Sequence, residues 1–198
     1  MEAITTVTGR AVPLPRSNID TDQILPGAYL KRVTRTGFAD VLFEQWRTEP
    51  DFVLNDPANH GAPILVAGED FGIGSSREHA VWALRDFGFR VVISSRFADI
   101  FRNNAGNNGL LTAEVTEEVA EQLFALLATQ PDCAVSVDLT SLTITAGNAT
   151  YPFTIDEYTR YRLLNGLDDI GITLEAADAI AAYAAQRPPW MPVTTTGQ

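Results

Sequence analysis

The apolar residues of this chain form two kinds of run, and the two alternate. Ile64-Leu65-Val66-Ala67-Gly68 and Arg90-Val91-Val92-Ile93-Ser94 are short and almost unbroken, as strands buried on both faces are. Residues 75–87 repeat at helical spacing, with Ala80, Val81, Leu84 and Phe87 on one side and Gly88 placed to cap the end. Residues 97–102 predict a second helix, ended by the Asn/Gly run 103–109, and residues 110–113 a third short strand. Thr116 opens a helix that runs to about Ala128, with Glu117 and Glu118 in the first turn, where the helix dipole favours them. This alternation predicts an α/β architecture of parallel strands with right-handed crossovers.

The flanking segments follow other patterns. Residues 4–14, rich in Thr, Val and Ile and bounded by Pro13 and Pro15, predict an opening strand. Residues 16–37 read as a long loop with at most short helical turns, residues 38–45 as a short helix, and residues 48–63 as a polar, proline-rich loop. Period-two alternation over 133–153, around Ala146-Gly147-Asn148, predicts a β-hairpin. Two helices are expected near 155–165 and 175–186, the second stopped by Arg187-Pro188-Pro189, and residues 188–198 read as a frayed or docking tail. No repeat, low-complexity tract or linker divides the chain. It is read as one domain over 1–198, with a core to about 155 and a helical part from 155 to 187.

Composition narrows the function. A chain of 198 residues with 45% hydrophobic residues can bury a core without disulfide or metal staples. Fourteen Lys and Arg against 25 Asp and Glu leave a net charge of −11, which argues against the dense cationic footprint that nucleic acid requires. A local anion site needs only two or three cations and stays open. No window approaches the roughly 18 consecutive apolar residues of a membrane span, and the N-terminus has no basic and apolar signal pattern. Cys133 is the one cysteine. It cannot form an intrachain disulfide or hold an iron–sulfur cluster, and His60 and His79 show no metal-ligand spacing. A cytoplasmic protein with no metal of its own is the expectation.

Three segments carry candidate chemistry. Gly68-Glu69-Asp70-Phe71-Gly72-Ile73-Gly74-Ser75-Ser76-Arg77-Glu78-His79-Ala80 lies between a buried strand and a helix. Glycines there permit a tight turn, the helix start offers free N–H groups, and Arg77 adds a two-pronged cation suited to a carboxylate or phosphate. Ser75-x-x-Glu78 also fits a capping box, so a purely structural helix start is an equal reading. The turn lacks the third glycine of a dinucleotide fingerprint and the Lys of a phosphate-binding loop. Upstream, Asp20 and Asp22 read as cap or turn residues, while Lys31, Arg32 and Arg35 form either a solvated face or a cationic loop for a small anion. Downstream, Phe97, Ile100 and Phe101 read as core and the asparagines of 103–108 as turn formers; His79 reads as a packed histidine.

Taken together, Asp20-Thr21-Asp22, the 72–80 segment and Phe97-Ala98-Asp99-Ile100-Phe101 resemble the aconitase superfamily, specifically its isopropylmalate dehydratase small-subunit family. The resemblance extends over Val33-Thr34-Arg35-Thr36-Gly37-Phe38, Asp51-Phe52-Val53-Leu54-Asn55 and Asn165-Gly166-Leu167-Asp168-Asp169-Ile170-Gly171-Ile172-Thr173-Leu174. The last stretch is similar to a C-terminal part that homoaconitase-type small subunits generally lack. The resemblance implies a swivelling β/β/α domain with a C-terminal helical extension. It also implies a large-subunit partner carrying a four-iron–four-sulfur cluster, and a small dicarboxylate substrate. Ser75 then falls at the serine base, with Gly74 and Asp22 in support. Ser76 and Arg77 fall at the substrate, as does one of Lys31, Arg32 and Arg35. Three readings compete: a citraconate- or homoaconitate-type hydro-lyase subunit, a stand-alone anion-binding module, and a structural subunit in which Ser75 only caps a helix.

Overall fold

The computed structural model describes residues 1–188, 190 and 191. The tail expected at 188–198 otherwise lies outside the described residues. The centre is a seven-stranded sheet in the order β6-β5-β3-β1-β7-β8-β9. β1 (Thr6–Leu14), β3 (Ile64–Ala67), β5 (Val91–Ser94) and β6 (Leu111–Glu114) are parallel; β7 (Ala134–Asp138), β8 (Thr143–Ala146) and β9 (Ala149–Pro152) are antiparallel. β1 joins the two halves. Its residues Ala11 to Leu14 pair with β3, and Thr6 to Arg10 pair with β7.

The strand pleat explains the two kinds of run. Along β3, Ile64 and Val66 face one apolar core while Leu65 and Ala67 face another; Val91 and Ile93 oppose Val92 in the same way on β5. The core under Leu65, Ala67 and Val92 holds Ala80, Val81, Ala83 and Leu84 of α2 (Glu78–Phe87) and Phe101 and Ala105 of α3 (Asp99–Asn107). The aromatic loop residues Phe38, Phe43 and Phe52 pack there too. The core under Ile64, Val66, Val91 and Ile93 holds Ala120, Leu123 and Leu127 of α4 (Glu117–Thr129), together with the inward residues of β7 and β8. Thr116 caps α4 by accepting from the Val119 N–H, and Gly88 ends α2 at φ 127°, both as expected. No described helix is long and apolar enough to cross a membrane.

Several expected elements differ. Residues 38–45 form turns rather than a helix, because Phe43 takes φ 52° and gives its N–H to the Ile24 carbonyl. The 97–102 helix begins at Asp99 and continues through the asparagines to Asn107, because Phe101 and Ala105 bury one side of it. The 133–153 hairpin is a three-stranded meander. Beyond it, α5 (Glu157–Asn165) is followed by two helices, α6 (Asp169–Glu175) and α7 (Ala177–Ala185), where one was expected. The 16–37 segment contains a two-residue strand β2 (Ile19–Asp20), a single helical turn α1 (Thr21–Ile24) and a 3-10 turn at Gly27–Lys31. β2 pairs in parallel with β4 (Phe71–Ile73), a strand hidden in the glycine-rich segment.

Candidate functional site

The β2–β4 pair brings the Asp-Thr-Asp segment against the glycine turn. Gly72 and Gly74 hold φ 78° and 92°, where L side chains are strained. A Cβ on Gly72 would overlap the Phe101 side chain, so this turn requires glycine for space as well as for backbone freedom. Gly74 lies against Asp20 and Thr21, 3.5 Å or more from the position its Cβ would take.

Ser75 and Ser76 do not begin the helix. α2 starts at Glu78, with Arg77 in extended conformation (φ −118°, ψ 102°) and no side-chain cap. The capping box Ser75-x-x-Glu78 is therefore absent. The reason is tertiary: Arg77 is held extended with its guanidinium paired to Asp22, and Thr21 Oγ1 donates to the Ser75 carbonyl at 3.1 Å. Glu78 instead accepts from Asn108 Nδ2 at 2.8 Å. Among the described residues, the N–H groups of Ser75, Ser76, Arg77, Glu78 and His79 meet no protein acceptor. They leave a row of donors beside an exposed serine.

Asp20 and Asp22 divide into two roles. Asp20 caps α1 through a reciprocal capping box with Gln23, each bond 2.8 Å. Asp22 pairs with Arg77 Nη1, and that hydrogen bond holds its carboxyl below the usual carboxylate range. Arg77, with a side chain only 17% exposed, points its Nη2 at Ser75 Oγ, 3.5 Å away. Asp22 thus aims the guanidinium at the serine. A unit cation near 4 Å stabilises an oxyanion by about 4 kcal/mol at an effective dielectric near 20. That alone is too little to ionise a serine at neutral pH, so donors and exclusion of water must add to it.

The loop cations stand apart from this cluster. Lys31 is exposed and makes no hydrogen bond or ion pair among the described residues. Arg32 is used inside its own loop, over the Tyr29 ring at 4.7 Å and the Phe38 ring at 5.4 Å, with Nη1 donating to the Gly37 carbonyl. Arg35 rests over Trp82 at 5.6 Å and lines a cleft of about 340 Å³ with Glu78, Asn104, Asn107, Asn108 and the start of α6. Ser76 is exposed, and its side chain has no partner among the described residues. The sequence reading missed Thr21, Gly27, whose backbone amide faces the Asp22 carboxylate, and Trp82. Thr21 lay inside a motif already singled out; Trp82 carried no local signal. A larger cleft of about 460 Å³, between α3, β6 and α5, lies away from Ser75.

A four-iron cluster does not fit this chain. Cys133 is its one thiol, and no group of three or more His, Cys, Asp or Glu among the described residues could hold a metal ion.

Family models match along most of the chain. The aconitase C-terminal domain covers residues 1–118, and the C-terminal domain of the 3-isopropylmalate dehydratase small subunit covers residues 169–194. The 3-isopropylmalate dehydratase small subunit of Nocardia farcinica is 60% identical over 98% of this chain and 96% of its own length. That of a Nocardioides species is 61% identical over 98% of each. The crystal structure of a 3-isopropylmalate dehydratase from Methanocaldococcus jannaschii superposes with TM-score 0.68 at 26% identity, covering 90% of this chain and 99% of that one. The chain belongs to the family of 3-isopropylmalate dehydratase small subunits, built on the aconitase C-terminal fold.

Proposed function

We propose that the chain works with a large subunit as a hydro-lyase. The pair interconverts 2-isopropylmalate and 3-isopropylmalate through 2-isopropylmaleate, in cytoplasmic leucine biosynthesis. One observation carries this reading beyond the family name. Ser75 stands exposed on the glycine turn, with the Arg77 guanidinium aimed at its oxygen and a row of unused N–H donors behind it. A base of this kind works only where water is excluded, and this chain by itself leaves the serine open. A second protein surface must close over it.

In the closed site Ser75 Oγ, deprotonated, takes the carbon-bound proton. The electrons of that C–H bond become the C=C bond as the hydroxyl leaves the neighbouring carbon. Arg77 and the free N–H groups hold the serine oxygen and a substrate carboxylate, and Ser76 donates to the same carboxylate. Asp22 keeps Arg77 in place. One of Arg32, Arg35 and Lys31 meets the other carboxylate. A four-iron–four-sulfur cluster bound on the large subunit would supply Lewis-acid chemistry at the hydroxyl.

The test mixes this chain with a cluster-loaded large subunit, without oxygen, and follows 2-isopropylmaleate absorbance from isopropylmalate. Turnover is expected only in the mixture. No turnover with an intact cluster, but turnover of citraconate or homoaconitate, would reassign the substrate.

A further inference from the structure

The loop that carries Lys31, Arg32 and Arg35 is fastened at both ends along α2. At its start, Gly27 lies beside the Asp22–Arg77 pair, just ahead of that helix. At its end, the Phe38 N–H donates to Asp86 Oδ2 at 2.9 Å, and the buried Phe38 ring meets His79 edge-on at 5.7 Å. Between the anchors Tyr29 and Arg32 are half-buried and the remaining residues are exposed, and Trp82 is the contact the loop makes through Arg35.

Trp82 is itself held on two sides. Its ring packs against His79 at 4.5 Å, and its Nε1–H donates to Asn108 Oδ1 at 2.9 Å. Asn108 Nδ2 in turn donates to Glu78 Oε1, at the first residue of α2, and to the Asn104 carbonyl, both at 2.8 Å. The indole is thus a fixed platform, about one helical turn or ~6 Å along the axis from Glu78. Arg35 has no ion pair or hydrogen bond among the described residues, so the Trp82 face is what holds its guanidinium. Arg32 is occupied within the loop, and Lys31 has no seat.

We propose that Trp82 is a positioning residue. It seats Arg35 above the start of α2, so that Arg35 is the loop cation presented to the far carboxylate of the dicarboxylate substrate. The proposal rests on the functional reading above, in which a loop cation meets that carboxylate. Because the ring holds Arg35 and not the proton-abstracting group, its loss acts on substrate binding and not on the chemical step.

The experiment compares Trp82→Met, Trp82→Phe, Arg35→Ala and Trp82→Met/Arg35→Ala in the assembled enzyme, each checked for assembly by gel filtration. A second readout is the rate of tryptic cleavage after Arg35 in the small subunit alone. Trp82→Met is expected to raise KM about tenfold with kcat within about twofold, and to speed cleavage after Arg35. Trp82→Phe keeps a ring face but loses the N–H. It is expected to restore KM to within about threefold, which loss of the Asn108 bond alone would not allow. Adding Trp82→Met to Arg35→Ala is expected to change nothing further. If Arg35→Ala raises KM but Trp82→Met does not, the seat is refuted while the functional reading stands. A full Trp82→Met effect in the Arg35→Ala background overturns it as well. If Arg35→Ala leaves KM unchanged while the enzyme turns over, Arg35 is not the carboxylate contact and the proposal falls. If Trp82→Met does not assemble, the comparison of Trp82→Phe with Arg35→Ala decides. A Trp82→Phe defect as large as that of Arg35→Ala points to the Asn108 bond and refutes the ring as the seat.

Discussion

At the scale of single residues, the site depends on how one cation is aimed. Arg77 is turned toward Ser75 by Asp22, and the same bond lowers the Asp22 pKa from its ordinary 3.8. A carboxyl depressed by folding contributes above its unfolded value and loses that contribution as pH falls through the lower folded one. The pair is therefore intact through the neutral range and opens only below 3.8. It is partly exposed, so its worth to stability is only about 0.5 kcal/mol, and its value lies in orientation. Asp22→Asn should raise KM about tenfold at neutral pH with little change in melting temperature. Wild-type kcat/KM should show no inflection from this pair between about pH 5 and 9; an unchanged KM in the variant would remove Asp22 from the site. Ser75→Ala should lower kcat roughly 10²–10⁴-fold while gel filtration with the large subunit is unaltered. Full activity in that variant would leave Ser75 without the base role.

At the scale of elements, the glycine turn is a junction between β4 and α2 rather than a helix start. Gly72 is pressed against Phe101 of α3, so the turn and α3 are built to fit each other. Gly72→Ala should cost about 3 kcal/mol, from the positive φ and the overlap together. Gly37 also has a positive φ, 92°, but nothing lies within 4 Å of the position a Cβ would take. Gly37→Ala should cost only about 1 kcal/mol. Urea unfolding of the two variants measures the difference, and equal costs would mean that Phe101 yields freely.

At the scale of the molecule, α6 and α7 stand apart from the cores. Neither contains a buried residue, and Ile170, Leu174, Ile180 and Tyr183 are exposed. Their ties to α5 are the Arg162–Asp169 ion pair and the Tyr161–Glu175 hydrogen bond. Arg162, itself buried, also donates to Asn107 Oδ1 at 2.6 Å, a partner that lies outside α6. A chain ending at Asp168 should therefore melt within about 4 °C of the full chain. A fall beyond roughly 10 °C would show that the terminal helices carry stability.

Sequence alone determined those features whose cause is local or periodic. The buried runs at 64–67 and 91–94 became parallel strands because a strand covered on both faces admits few polar residues. Thr116 and Gly88 acted as caps because their effect is confined to one helical turn. The Asp-Thr-Asp segment and the glycine turn were recognisable as a pair by resemblance. What joins them is the β2–β4 pairing across some fifty residues of chain, which no local pattern encodes. Tertiary contact also overrode a well-formed local signal: Ser75-x-x-Glu78 reads as a capping box, yet Thr21 and Asp22 hold Ser75 and Arg77 and the helix starts only at Glu78. The three loop cations were equivalent in sequence, since spacing says nothing about which side chain finds a partner. Only the packed structure separated them, by giving Arg32 the Tyr29 and Phe38 rings, Arg35 the Trp82 face, and Lys31 solvent.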